Sequence, residues 1–120
     1  MSIMSSVIFF PCFNINETAE FYLDVIGLKL HSDQGNCKIF DTGYGYIGFC
    51  QYSKRTTIAS GPCISLNCID VDDVDKHYKI LKNKDCEIVS PPKHHDDFPV
   101  YSFFLKDPNG YTLEFQKILN

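Results

Sequence analysis

The sequence presents the same order of secondary-structure signals twice within 120 residues. Hydrophobic periodicity predicts a strand, a helix and three short strands in the first half, and the same β-α-β-β-β order restarts near residue 63. Two such units in one chain pair as half-sheets, each with its helix on the outer face. The predicted fold class is therefore α+β, with two βαβββ modules that form a cup-shaped mixed sheet.

The first module begins with a strand at about 6–12 and continues with a helix at 15–26. Asn14 and Glu17 have the spacing of a capping box, and Gly27 ends the helical pattern. Turn-forming residues then separate three predicted strands, which are Leu28–Ser32, Cys37–Asp41 and Tyr46–Tyr52.

The second module follows a polar connector at Lys54–Gly61. Its helix begins near Asp73, where acidic residues favour a helix N-terminus, and directs Val74, Tyr78 and Leu81 toward the core. The predicted strands of this module are 63–70, 85–90, 100–106 and 111–117.

Length and composition predict one domain over residues 1–120, with internal repeats at approximately 5–53 and 62–118. The net charge of −4 and the scattered lysines argue against nucleic acid or an anionic membrane surface as a partner.

The start, MSIMSSVIFFPCF, lacks the features of a signal peptide or a membrane span, so a cytoplasmic location is expected. The six cysteines form no C-x-x-C pair, and reduced thiols are expected instead of disulfides or a zinc site.

The segment KDPNGYTLEF, Lys106 to Phe115, predicts a tight hairpin with a glycine bulge. Counting outward from Asp107 and Tyr111 pairs Thr112 with Lys106 and Glu114 with Phe104. Alternation then gives one apolar face and a second face that carries Ser102, Phe104, Thr112 and Glu114. A carboxylate on such a mixed face is suited to a cavity wall.

Three segments resemble the vicinal oxygen chelate superfamily, which contains glyoxalases, bleomycin resistance proteins and dioxygenases. These segments are FNINETAEFYLDVIGLKL, CIDVDDVDKHYKIL and FFLKDPNGYTLEF, and together they cover nearly the whole chain. In metal-dependent members, the resemblance implies four ligand positions, which correspond to Val7, Phe49, Leu66 and Glu114 of this sequence. Three of these side chains cannot bind a metal ion, so we expect no metal site and no cofactor, although a divalent metal is not excluded.

The expected ligand-binding surface is the inner face of the cup. Its apolar and aromatic character is typical of small-molecule sites, and Glu114 beside Phe49 and Phe104 favours a cationic or hydrogen-bond-donating ligand. His94 and His95 lie in a proline-flanked loop that is expected to overhang this face. The candidate ligand-binding residues are Val7, Phe9, Phe49, Leu66, Cys68, His94, His95, Ser102, Phe104, Thr112 and Glu114.

Three functional hypotheses follow from this lining. The first is a metal-independent binding protein of the glyoxalase/bleomycin resistance type, which holds a small organic molecule. The second is a glyoxalase-like lyase or isomerase, or a dioxygenase-related enzyme, that uses Glu114 as a catalytic base or metal ligand, assisted by His94 or His95. The third is a structural dimer module whose cup is filled by its own aromatic side chains. The sequence places one reactive group in the cup, which favours binding, and strand edges favour a homodimer.

Overall fold

A computed structural model describes residues 2–52 and 66–119, except for the side chains of residues 66 and 67. The chain divides into two compact units, Met1–Ala59 and Ser60–Asn120, and each is considered by itself below. Each unit has the order β-α-β-β-β and one four-stranded sheet. The predicted α+β class and the two βαβββ modules are therefore confirmed. The connector predicted at Lys54–Gly61 lies outside the described residues.

The first module contains four strands in the spatial order β1-β4-β3-β2. Strands β1 and β4 are parallel, and the other two pairings are antiparallel. The helix α1, Ile15–Glu20, begins at Asn14, whose side chain accepts the Glu17 N–H, and continues as a π-helical segment, Phe21–Ile26. The strands are β1 (Val7–Pro11), β2 (Lys29–Asp33), β3 (Cys37–Asp41) and β4 (Tyr46–Cys50).

An aromatic cluster joins this helix to its sheet. Tyr22 stacks on Phe49 with ring centroids 4.6 Å apart and also contacts Phe40 at 5.8 Å. All three side chains are at most 1% exposed. Burial of large aromatic side chains supplies much of the free energy that holds a helix against a sheet.

Cys37 and Cys50 form a disulfide, so the expectation that all six cysteines are thiols was wrong. The two residues lie directly opposite each other on β3 and β4, with Cα atoms 4.1 Å apart. This separation is close to that of the narrow cross-strand pairs of antiparallel sheets, which brings the two sulfur atoms together.

The second module has the spatial order β5-β8-β7-β6, with β5 parallel to β8. Its helix α2, Val74–Lys82, begins at Asp73, whose side chain accepts the Lys76 N–H. The described strands are β5 (Leu66–Asp70), β6 (Glu87–His94), β7 (Val100–Lys106) and β8 (Thr112–Ile118).

Strand β6 is longer than the predicted 85–90, because it continues through Pro91 and Pro92 to His94. Proline lacks the N–H that a central strand needs, but β6 is an edge strand and its pairing with β7 is irregular around Ser90. The sequence predicted a loop where the chain forms a bulged edge strand.

The core of the second module lies between α2 and one face of its sheet. Phe103 and Phe115 stack with ring centroids 5.4 Å apart, and Tyr78 of the helix contacts Phe103 edge-on. His77 stacks on Phe115 at 5.7 Å, which gives this histidine a packing role.

Among the described residues, no helix is long and apolar enough to cross a bilayer.

Candidate functional site

A tight turn fixes the register of the hairpin that carries Glu114. The Asp107 carboxylate accepts the backbone N–H groups of Asn109, at 2.8 Å, and Tyr111, at 2.9 Å. Gly110 has a φ of 90°, which glycine adopts at little cost. Phe104 then faces Glu114 and Lys106 faces Thr112, so the predicted register is confirmed.

Side chains that point away from α2 define what we call the open face of the second sheet. On β7 and β8 these residues alternate with the apolar core residues Phe103, Leu105, Leu113 and Phe115. The open-face residues of the two strands are Val100, Ser102, Phe104, Lys106, Thr112, Glu114, Gln116 and Ile118.

Glu114 is buried, with 5% of its surface exposed. The Cys68 thiol donates a hydrogen bond to Glu114 Oε1 at 3.3 Å, across the parallel pair β5 and β8. Lys106, on the same face, donates instead to Thr112 Oγ1 at 2.6 Å. Within the described part of the chain, Glu114 forms no ion pair and the weak thiol is its one hydrogen-bond donor. A carboxylate in this position is under-satisfied.

The pairing with Glu114 also affects Cys68. Cys68 is an exposed residue, but partial desolvation of its sulfur raises the pKa of the thiol to about 11, and the hydrogen bond and negative charge of Glu114 contribute in the same direction. Asp70 adds a smaller effect of the same sign. The protonated thiol therefore persists at neutral pH and acts as a donor, not as a nucleophile.

An apolar cleft of about 390 Å³ adjoins this carboxylate. Its floor consists of open-face residues of β7 and β8, and its wall is the loop that joins β6 to β7. A cleft of this size and composition suits a small organic molecule. Its lining residues are His95, Phe98, Pro99, Val100, Phe104, Glu114, Gln116 and Ile118.

The two loop histidines have different positions. His95 lines the cleft, and its Nδ1 accepts the Asp97 N–H at 3.0 Å. His94 is the last residue of β6 and its ring contacts Tyr101, whose hydroxyl donates to Asp75 of α2. Tyr101 alternates with the open-face residues, so His94, which lies opposite it in the register, faces away from the cleft.

Phe49 was predicted on the inner face of the cup, and this prediction was wrong, because the side chain is buried on the helix side of the first sheet. It packs against Tyr22 on the helix side of the first sheet, whereas the residue that lies opposite Phe9 in the register is Gly48. The ring of Phe9 occupies the space that a side chain at position 48 would need. Ile47-Gly48-Phe49 thus corresponds to Leu113-Glu114-Phe115, so the counterpart of Glu114 in the first module is Gly48 and not Phe49.

The remaining predicted site residues are distributed over both modules. In the first module, the side chains of Val7 and Phe9 lie on the face of the sheet that is turned away from α1. Cys68, Ser102 and Thr112 lie on the open face of the second sheet but do not line its cleft. The side chain of Leu66 lies outside the described residues.

The corrected correspondence also bears on metal binding. The position equivalent to Glu114 in the first module is Gly48, and Val7 offers no donor atom. Across the described residues, no three His, Cys, Asp or Glu side chains lie close enough to hold a metal ion.

A larger cleft of about 500 Å³ lies in the first module, between residues 3–6 and the turn at 43–46. Its one acidic residue, Asp41, accepts the Gly43 N–H at 2.7 Å and so belongs to the turn. Tyr44 beside it is fully exposed. None of the described residues that line this cleft is a buried polar group that would orient a ligand, so the cleft beside Glu114 is the better candidate.

Sequence reasoning missed five of the residues that line the cleft beside Glu114. Val100, Gln116 and Ile118 share the parity of Phe104 and Glu114, so strand alternation alone is a signal that identifies them. Phe98 and Pro99 belong to a loop with no periodicity, and no sequence signal places them.

The chain belongs to the Glyoxalase/Bleomycin resistance protein/Dioxygenase superfamily, whose family model matches residues 6–115. No curated protein matches the sequence. The fold is similar to a glyoxalase/bleomycin resistance protein/dioxygenase from Alicyclobacillus acidocaldarius, with 20% identity and a TM-score of 0.79 over 97% of this chain and 92% of that one. It is also similar to TioX from Micromonospora sp. ML1, with 19% identity and a TM-score of 0.77 over 96% and 98% of the two chains.

Lactoylglutathione lyase from Agrobacterium tumefaciens has the same fold, with 18% identity and a TM-score of 0.70 over 97% of this chain and 92% of that one. At these identities, the likeness establishes a shared fold. A fold of this kind does not determine the activity, which depends on the residues of the site.

Proposed function

We propose that this protein binds a small organic molecule in the cleft of its second module, without a metal ion, and that Glu114 is the polar anchor. One observation carries the proposal. Glu114 is 5% exposed and lies in the floor of an apolar cleft, yet among the described residues it receives one hydrogen bond, from a thiol. A ligand that brings a positive charge or a good donor would complete its coordination.

The energetic argument has two parts. An ionised carboxylate accepts about four hydrogen bonds, so the single thiol leaves most of its capacity unused. A charge-assisted hydrogen bond from a ligand contributes about 1–3 kcal/mol in such a setting. The apolar body of the ligand would then cover Phe98, Phe104 and Ile118, which adds roughly 25 cal/mol for each Å² removed from water.

Aromatic rings beside the acid narrow the ligand class. Phe104 lies directly opposite Glu114 in the β7–β8 register and is partly exposed toward the cleft. The face of a phenylalanine ring attracts cations, so Phe104 and Glu114 favour the same end of a ligand. We therefore propose an aromatic or aliphatic amine in preference to a neutral or anionic compound.

A thermal-shift screen tests this function with aromatic amines and their neutral isosteres, each with and without divalent ions. We expect amines to bind without added metal, and Glu114→Gln to weaken them by about 1–3 kcal/mol in calorimetry. Folding stability should change little, because glutamine retains an acceptor for Cys68. Glu87→Gln, at an exposed position of β6, is the matched control. Equal affinities of wild type and Glu114→Gln, or binding that requires a bound metal, would contradict the proposal.

A second candidate function rests on the presence of His95 in the same cleft. A lyase or isomerase needs two positioned acid–base groups, and Glu114 with His95 would supply them. The test uses the ligands found by the screen in deuterium oxide. NMR follows the exchange of carbon-bound protons of the ligand. Exchange that is lost in Glu114→Gln would show that the protein is an enzyme, and binding without exchange would show that it is a binding protein.

A further inference from the structure

The side chain of His95 is held in a defined orientation by its own loop. Its Nδ1 accepts the Asp97 N–H at 3.0 Å, and its ring contacts Phe98 with centroids 4.9 Å apart. Its backbone N–H donates to the Val100 carbonyl at 3.0 Å, which closes the loop onto β7. Three contacts therefore fix this residue at the wall of the cleft.

The hydrogen bond to Nδ1 determines which ring nitrogen carries the proton. A nitrogen that accepts an N–H has its lone pair occupied, so the neutral ring bears its proton on Nε2. In the part of the chain that the structure describes, no acceptor pairs with Nε2. His95 thus brings an N–H donor to the same cleft in which Glu114 brings an acceptor.

We infer that the ligand of this cleft carries a hydrogen-bond acceptor, such as a carbonyl oxygen, in addition to its amine, and that His95 Nε2–H selects for it. The inference rests on the proposed function and adds to it a second polar contact. The amine would bind Glu114 and the acceptor would bind His95, with the apolar body on Phe104, Val100 and Ile118 between them. Two polar groups of opposite character would also fix the direction in which the ligand lies.

A substitution can remove the Nε2 donor and keep the loop. In His95→Asn, the side-chain oxygen can accept the Asp97 N–H, because asparagine commonly bonds to the backbone two residues on. His94→Asn is the matched control, since His94 packs on Tyr101 away from the cleft. The probes are phenethylamine, which has an amine and no acceptor, and its para-acetyl derivative, which adds one carbonyl.

We expect wild type and His94→Asn to bind the acetyl derivative about fivefold more tightly than phenethylamine, the effect of one net hydrogen bond. His95→Asn should bind both amines with the affinity that wild type has for phenethylamine, and Glu114→Gln should weaken both. An acetyl preference that survives in His95→Asn, or equal binding of both amines to wild type, would overturn the inference and leave the proposed function intact. Failure of both amines to bind at millimolar concentration would overturn both.

Discussion

Glu114 and Cys68 form a polar pair on a largely apolar sheet. The thiol is the weaker kind of donor, so it lowers the cost of burying the carboxylate without satisfying it. In return, the carboxylate adds to the rise in the pKa of the thiol, of which partial desolvation of the sulfur is the larger cause. The pair therefore consists of a protonated thiol donor and a carboxylate acceptor that has room for further donors.

The reactivity of Cys68 is a direct readout of this pair. The pKa of its thiol is raised to about 11, first by burial and then by Glu114, so alkylation by iodoacetamide should be slow at pH 8 and rise toward pH 11. Removal of the negative charge in Glu114→Gln should lower the pKa and speed alkylation several-fold at pH 8. Peptide mapping by mass spectrometry distinguishes Cys68 from Cys86, which serves as the internal reference.

The raised pKa of the Cys68 thiol also makes the free energy of unfolding depend on pH. A thiol whose pKa is higher in the folded state stabilises the fold while it is protonated, and this contribution is lost as the pH rises through about 11. An alkylation rate for Cys68 that is already maximal near pH 8 would contradict the raised pKa and the pairing with Glu114.

At the scale of elements, the β7–β8 hairpin depends on one carboxylate. Asp107 is 6% exposed and accepts the N–H groups of Asn109 and Tyr111. In Asp107→Ala both groups lose their acceptor, and we expect the free energy of unfolding to fall by about 2–4 kcal/mol, measured by urea denaturation. Asp107→Asn retains an acceptor oxygen and should cost much less. Equal losses in the two variants would show that the acceptor oxygen is not what stabilises the turn.

The disulfide between β3 and β4 stabilises the first module because it restricts the conformations of the unfolded chain. Cys37 and Cys50 are 13 residues apart, and closing a loop of this size contributes up to about 3 kcal/mol. We expect a reducing agent to lower the Tm of wild type and to leave the Cys37→Ser/Cys50→Ser variant unchanged. Thiol counting under denaturing conditions should show two more thiols after reduction. An identical count before and after would disprove the disulfide.

The sequence predicted most elements because the two turn-rich hairpins and the helix caps are local signals. It predicted the β7–β8 register, since Asp107-Pro108-Asn109-Gly110 allows few alternatives. The same counting applied to Cys37–Asp41 and Tyr46–Cys50 places Cys37 opposite Cys50, so the disulfide was within reach of the sequence. The expectation of thiols relied instead on the absence of a C-x-x-C pair, which carries no information about cysteines on neighbouring strands.

Other errors have causes that are not local. Strands β1 and β4 carry large apolar residues on both faces, so alternation alone cannot decide which face Phe49 occupies. That choice is made by Tyr22, which packs on Phe49 from the helix. Only His95 of the two adjacent histidines lines the cleft, because the bulged edge strand β6, which contains two prolines, extends to His94 and turns its side chain away. The bond between Cys68 and Glu114 depends on a parallel pairing 46 residues apart.

At the scale of the whole molecule, the two modules share a topology but differ in chemistry. The position that holds Glu114 in the second module holds Gly48 in the first, and the ring of Phe9 covers it. The position that holds Gln116 corresponds to Cys50, which is in the disulfide. The first module therefore contributes packing and a covalent cross-link at these positions, and the polar groups suited to a ligand belong to the second.

The assembly state is the remaining prediction, and we propose a homodimer. Several large apolar side chains are exposed on strands, among them Ile8 on β1, at 66%, and Val89 on β6, at 54%. Within the described part of the chain, the outer strands of each sheet are paired on one side only, and proteins usually cover or pair such edges. Multi-angle light scattering should give twice the chain mass of 13.7 kDa at micromolar concentration.

A variant of an exposed residue tests which surface associates. Ile8→Asp places a charge on β1 without changing a core residue, so it should shift the protein toward monomer if β1 lies in the interface, because burial of an unpaired charge is costly. Val89→Asp applies the same change to β6 and is the matched comparison. A dimeric mass in both variants would exclude these two strands from the interface, and a wild-type mass of one chain across the micromolar range would disprove the homodimer itself.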